Sequence, residues 1–341
     1  MKTFSLAFLL VGAVVGAGFA SGREILSFFG DSPSIFIAPL VGAVFFFGSI
    51  LFLSVGAKVK ADNITAANLL IMGNKHIIAD ILLLFNGVIM LGGMLAAMNS
   101  LFNMLLPLSP LYAFMAGILC AILVARGLKG LLKCNAILTP IVIAIMIVIC
   151  IFAILRSDGT GSQTIFFAPN PLNYPMILIY MSMNMMLAST VLTTIHTFNK
   201  RQIMTASFLA SIVIAGLMAV LIFALNSSSD YYTAMPLVSM ALSSGPILFY
   251  FAIAAIGVSI FTSMMTAMIG LDSWLKPITG GKWYSIVIVL ISGLILSMLG
   301  FETVVAFLYP VIGVLGLVYI VWCIVYLAKN RKKDLTKDKS I

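Results

Sequence analysis

Apolar runs long enough to cross a bilayer, parted by short polar breaks, fill this chain of 341 residues. A hydrocarbon core about 30 Å thick takes roughly 20 apolar residues as a helix. The runs cover about 4–28, 35–59, 77–105, 110–126, 135–155, 172–197, 204–225, 243–270, 284–300 and 303–328. They are continuous rather than alternating in ten-residue segments, so they read as helices and not as a membrane barrel. With 62% hydrophobic and 9% charged residues, the chain falls outside the soluble globular class, where charge is about 25%. The same figures exclude disorder. The expected fold is therefore an all-α polytopic membrane protein of ten transmembrane helices. A single membrane domain spans 1–328, and a basic tail spans 329–341.

The net charge of +9 comes from 19 Lys and Arg against 10 Asp and Glu. It reads as topology rather than nucleic-acid binding. With ten spans, one side receives Lys2, Lys58, Lys60, Lys75, Arg126, Lys129, Lys133, Lys200, Arg201, Lys276, Lys282 and the tail from Lys329 to Lys339. The other side receives Arg23 and Arg156. The bias puts both termini in the cytoplasm. The loop at 60–75 is expected to form a short interfacial helix. In the outward stretch 156–171, Phe166 and Phe167 either pack over a vestibule or mark the bilayer interface.

The first run carries VGAVVGAGFASGREI at 11–25. Gly12 and Gly16 are four apart, as are Gly18 and Gly22, a spacing that can build a helix–helix contact face. The cluster from Gly16 to Gly22 is denser than packing requires, which points instead to a discontinuous helix. Such an interruption exposes main-chain N–H and C=O groups at mid-membrane, where they can meet a carboxylate and a cation. The sixth run places Tyr180, Ser182, Asn184, Ser189 and Thr190 in an apolar context. Asn184 is the costliest of these to leave unpaired. It holds either an interhelical bond or a locally unwound turn, although the run has no glycine. With ten spans, the sixth opens the second half as the first opens the first. That is the arithmetic of an inverted repeat, about 4–155 and 172–328.

In the eighth run, Ser259, Thr262 and Ser263 share a helix face. Their hydroxyls either bond their own helix or offer hard oxygen ligands to Na⁺. Asn86, in the third run, faces a central cavity or makes a structural bond. Arg23 and Glu24 form an outer gate or an anchor, and Glu302 is expected at the outer interface. Cys120, Cys134, Cys150 and Cys323 lack metal-ligand spacing and read as small apolar fillers. No P-loop, dinucleotide fingerprint, HExxH or nucleophile elbow is present, so the chain does not read as an enzyme and no cofactor is expected.

The N-terminal VGAVVGAGFASGREILSFF resembles the signature of the YkvI-like bacterial membrane proteins. These are treated as amino-acid permeases remotely similar to the amino acid–polyamine–organocation superfamily. That resemblance implies a LeuT-type five-plus-five inverted repeat in a bacterial inner membrane, with helices one and six broken around the substrate. It implies a Na⁺ site from Gly12 and Val15 with Ser259, Thr262 and Ser263. It implies a substrate site from Gly16, Ala17, Gly18 and Phe19, with Tyr180, Ser182 and Asn184 opposite; Asn86, if it faces the cavity, joins them. The function so implied is cation-coupled symport of a small, apolar amino acid by alternating access, with Na⁺ favoured and H⁺ open as coupling ion. A membrane sensor that keeps a transporter-like cavity without turnover is the competing reading. The expected partners are the solute and the lipid bilayer.

Overall fold

The computed structural model describes residues 2–61, 64–125, 131–156, 173–193, 195–228, 233–281 and 283–338; for 2, 17, 131–137, 277 and 331–338 it gives the backbone only. Phe166, Phe167 and the side chain of Cys134 lie outside the described residues.

The first run folds as three consecutive helices, α1 (Lys2–Val14), α2 (Ala17–Ser21) and α3 (Arg23–Phe29). Then come α4 (Ile37–Val59), the short α5 (Ile64–Met72), α6 (His76–Phe102), α7 (Leu111–Ala125) and α8 (Leu131–Leu155). The second half holds α9 (Asn173–Leu192), α10 (Lys200–Ser227), the short α11 (Pro236–Ser244), α12 (Pro246–Ile278) and α13 (Tyr284–Ser297). A single turn, α14 (Phe301–Thr303), passes through a π-helical turn at Val304–Leu308 into α15 (Tyr309–Asp338). Local sequence sets several of these ends. Asn199 and Gln202 form a reciprocal capping box at the start of α10, which satisfies two otherwise orphan donors. Pro246 sits in the first turn of α12, where its missing N–H costs nothing.

Among the described residues, seven helices are long and apolar enough to cross a membrane. Three shorter apolar helices, Thr3–Val14, Leu111–Ala125 and Tyr284–Ser297, fall in the first, fourth and ninth runs. At 1.5 Å per residue a 15-residue helix reaches only about 22 Å, so length alone does not establish the expected ten. Large apolar side chains such as Phe47, Ile247, Met298 and Phe307 are exposed on the outside. That is how a chain looks when its solvent is hydrocarbon rather than water.

The packing has an internal symmetry. Match α1, α4, α6, α7 and α8 with α9, α10, α12, α13 and α15. The contact of α1 with α10 then has its counterpart in α9 with α4, and α1 with α8 in α9 with α15. Likewise α6 with α13 mirrors α12 with α7, and α12 with α8 mirrors α6 with α15. The short helices obey the same exchange, since α5 packs on α6 and α15 while α11 packs on α12 and α8. This is the contact pattern of an inverted repeat.

One expectation is overturned. Helix six was expected to be discontinuous, but α9 runs unbroken from Asn173 to Leu192. Its polar side chains explain why. Ser182, Asn184, Ser189, Thr190 and Thr193 all donate to carbonyls three or four residues back in their own helix. This local back-bonding absorbs their polarity without opening a turn.

Candidate functional site

The interruption of the first helix is built from its own hydrogen bonds. The Val15 N–H still donates to Val11 O at 2.9 Å, but the Gly16 N–H turns to Val14 O at 2.7 Å rather than continuing the ladder to Gly12. Gly16 is extended, with φ −98° and ψ −166°. The five-residue α2 follows and ends at Gly22, whose φ of 80° and ψ of −7° are left-handed. A Cβ is costly in that conformation, so glycine is the residue that permits the second joint. Ser21 bridges it: its hydroxyl donates to Gly18 O at 3.1 Å and accepts the Arg23 N–H at 3.3 Å.

Helix α12 covers the first joint. The Ser259 hydroxyl, 3% exposed, donates to Val15 O at 3.0 Å. A Cβ placed on Gly16 would lie 3.2 Å from Ser263 Oγ and 3.4 Å from the terminal methyl of Met94. The hydroxyls of Thr262 and Thr266 instead donate to Ser259 O and Thr262 O in their own helix. Gly12 faces α8, where a Cβ would meet Thr139 Oγ1 at 2.8 Å. The structure thus brings together Val15, Gly16, Ser259 and Ser263, with Gly12 one turn below beside Thr139. The Thr139–Pro140 pair, a hydroxyl beside a helix-disrupting proline in the fifth run, was the available sequence signal for this neighbour.

The α9 face is divided. Tyr180, fully buried, packs edge-on against the rings of Phe28 and Phe29 with centroids 5.1 Å and 5.7 Å away. Ser182 ties α9 to α15 by donating to Gly313 O as well as Ile179 O. Asn184 donates to Tyr180 O at 3.0 Å. Asn86 lies apart from this group. Both its amide atoms are buried without a partner. It lines a small cavity of about 30 Å³ with Asp80, Gly87, Thr190, Thr266 and Gly270. Met94, which touches the Gly16 level, is eight residues further along α6, or roughly 12 Å.

Two polar clusters flank the joints. On the Arg23 side, the guanidinium donates to Thr233 O at 3.3 Å and lies 3.6 Å from the Glu302 carboxylate. Beside it, the Ser27 hydroxyl donates to Val305 O, inside the π-helical turn, at 3.3 Å. At the opposite end, Tyr319 donates to Asn68 Oδ1 at 2.9 Å, and Asn68 donates to Asp80 Oδ1 at 2.7 Å. These three residues, all at most 6% exposed, tie α5 and α6 to α15.

Sequence reasoning placed Glu24 at an outer gate or anchor. The structure buries it to 2% exposure and folds it back over Gly18, so that a Cβ on Gly18 would overlap its carboxyl group. Tyr309, also fully buried, reaches Gly93 of α6 from the other side. A glutamate two residues past a glycine in a membrane run was the only signal for the first. Nothing in the sequence marked the second.

No protein-family model matches the chain. Two Bacillus subtilis (strain 168) proteins are similar along nearly the whole length. The uncharacterized protein YyaD is 26% identical, over 93% of this chain and 95% of its own. The uncharacterized membrane protein YkvI is 25% identical, over 92% and 93% respectively. Among solved structures, MhsT in complex with L-phenylalanine superposes with TM-score 0.67 at 16% identity, covering 89% of this chain and 80% of MhsT. The nucleobase-cation-symport-1 family transporter MHP1, in a closed conformation with bromovinylhydantoin bound, superposes with TM-score 0.61 at 14% identity, covering 86% and 70%. The inward-facing form of the same transporter gives TM-score 0.61 over 92% and 73%. Taken with the paired contacts of its two halves, these matches make the chain a multi-pass membrane protein of LeuT-type fold, homologous to YkvI.

Proposed function

We propose that the chain is a secondary transporter that moves a small, apolar amino acid by alternating access. The ten runs then all cross the membrane, as two inverted repeats at about 4–155 and 172–328, with both termini in the cytoplasm of a bacterial cell. The observation that carries the reading is the interruption at Val15–Gly16 in the middle of an apolar run, with a buried hydroxyl from α12 on the Val15 carbonyl. Main-chain polarity at membrane depth is tolerated where it is buried in protein or lines a cavity. The substrate carboxylate and ammonium meet main-chain groups of Gly16, Ala17, Gly18 and Phe19, with Tyr180 and Asn184 opposite. Asn86 serves the separate cavity beside Thr190 and Thr266 rather than this site. That MhsT was solved with L-phenylalanine supports an amino acid as the solute class.

The coupling ion is Na⁺, held by the carbonyls of Gly12 and Val15 and the hydroxyls of Ser259 and Ser263, with Thr262 at the edge of the group. In this arrangement the ion replaces the Ser259 O–H···O=C bond with two oxygen ligands, and so reinforces one arrangement of the joint. Differential binding to the two gate states makes ion and solute affinities reciprocal. The test is uptake of a panel of radiolabelled amino acids into proteoliposomes under imposed Na⁺ gradients. The expected result is Na⁺-dependent uptake of one or more apolar amino acids. Binding of an amino acid without flux in any gradient overturns transport in favour of a sensor.

A further inference from the structure

Glu24 has no role in the site just described, yet its surroundings are unusual. It is 2% exposed in the middle of an apolar bundle, and its Oε2 is sealed from solvent with no hydrogen-bond partner. The hydroxyls of Tyr180 and Tyr309 are likewise sealed and lack a partner in good hydrogen-bond geometry; Tyr180 nonetheless approaches the carboxyl group closely enough to interact with it directly, and Tyr309 lies within electrostatic reach. Glu24 packs over Gly18 so closely that not even a methyl group fits between them. Among the described residues, no Lys, Arg or His is ion-paired with it. Helix α3 packs on α2, α9 and the π-helical turn. Among the described residues, α2 and the π-helical turn offer no titratable group, α9 offers the buried Tyr180 and, at its exposed start, Tyr174, and the start of α15 offers Tyr309. On its own helix the guanidinium of Arg23 is turned to Thr233 O and Glu302.

A carboxylate enclosed this way needs its charge met by something. Among the described residues no cationic side chain meets it, and its Oε2 is sealed with no hydrogen-bond partner. A bound proton neutralises such a group without any further ligand. The left-handed joint at Gly22, two residues away, is a glycine position where the main chain can turn without a Cβ penalty.

We propose that Glu24 is a proton site, which takes up H⁺ from water as the first helix closes over Gly18 and returns it to water as the helix opens. The step is an acid–base equilibrium on Oε2: an O–H bond forms on closure and breaks on opening, and the proton goes to whichever compartment the site faces. The proposal rests on alternating access and adds a proton to the transport cycle beside the Na⁺ of the preceding section.

The test is infrared difference titration of the full chain in lipid nanodiscs, in choline buffer, on wild type, Glu24→Gln and Glu24→Asp. A protonated-carboxyl band at neutral pH, absent from Glu24→Gln and shifted in Glu24→Asp, is the expected result. Absence of a band that responds to either substitution overturns the proposal. So does a band abolished when Na⁺ replaces choline, because the site then belongs to a metal ion. A wild type and Glu24→Asp pair suffices if Glu24→Gln does not fold. In proteoliposomes, one coupled proton raises steady-state accumulation of a carried amino acid about tenfold per pH unit of gradient, and Glu24→Gln loses that increment. Uptake by the wild type that ignores the pH gradient overturns the proposal while leaving transport intact. A wild type that moves no amino acid removes the transport reading, and the infrared titration still decides the proton site.

Discussion

Replacing Ser259 with alanine tests the first joint directly. The hydroxyl is buried and donates to Val15 O at 3.0 Å. Without it, a carbonyl at the end of α1 loses its α12 partner in a low-dielectric setting, at a cost of about 1–3 kcal/mol. In domains of 150–250 residues each kcal/mol moves the midpoint by roughly 2–4 °C, so a loss of several degrees is expected in Na⁺-free choline buffer. A second effect separates structure from ion binding. Na⁺ at 100 times its Kd stabilises the wild type by about 2.7 kcal/mol. Removing one ligand oxygen worth about 1.4 kcal/mol weakens the affinity roughly tenfold and lowers that increment by about the same 1.4 kcal/mol. Ser259→Thr, which keeps the hydroxyl, retains most of both. The assay is thermal unfolding followed by tryptophan fluorescence in matched Na⁺ and choline buffers. A Ser259→Ala protein as stable as wild type in choline refutes the cap on Val15. One with an undiminished Na⁺ increment refutes the ion site.

Gly22→Ala forces a Cβ into a left-handed backbone and is expected to cost roughly 1–2 kcal/mol; an unchanged midpoint would mean that the second joint is not held at φ 80°. Tyr319→Phe leaves Asn68 Oδ1 without its 2.9 Å donor. A double-mutant cycle with Asn68→Ala should therefore show a coupling of about 0.5–3 kcal/mol, and additivity would dissolve the α5–α15 tie. Arg23 and Glu302 are partly exposed, with side chains 23% and 52% accessible, so their cycle should give no more than about 1 kcal/mol and shrink with salt. A salt-independent coupling well above that would show a pair shielded from water.

The sequence made the bundle legible because hydrocarbon solvent imposes a length and a composition on every span, and both can be counted. It made the first joint legible because the run from Gly16 to Gly22 is more tolerant of non-helical backbone than packing needs. It left helix six open, since Asn184 read equally as an interhelical bond or an unwound turn, and the break implied by the resemblance is not there. Whether a hydroxyl bonds its own helix or a neighbour depends on rotamers, which residue types do not reveal. Asn86 sits about two turns of α6 from the level of the joint for a similar reason: helix period gives its face but not its depth relative to α2. Glu24 was hardest of all. Its burial follows from a reversal of the side chain over Gly18, and that contact exists only once α2 and α3 have bent.

The unbroken α9 has a mechanical corollary. The architecture has two arms related by pseudo-symmetry, and among the described residues the α1–α3 arm has elbows, at Gly16 and Gly22, where α9 has none. The other arm is a straight rod, tied to α15 through Ser182 and Gly313. In the proposed transport cycle the bending is expected in the jointed arm, so a single covalent staple across that arm is expected to abolish uptake while one along α9 leaves it intact.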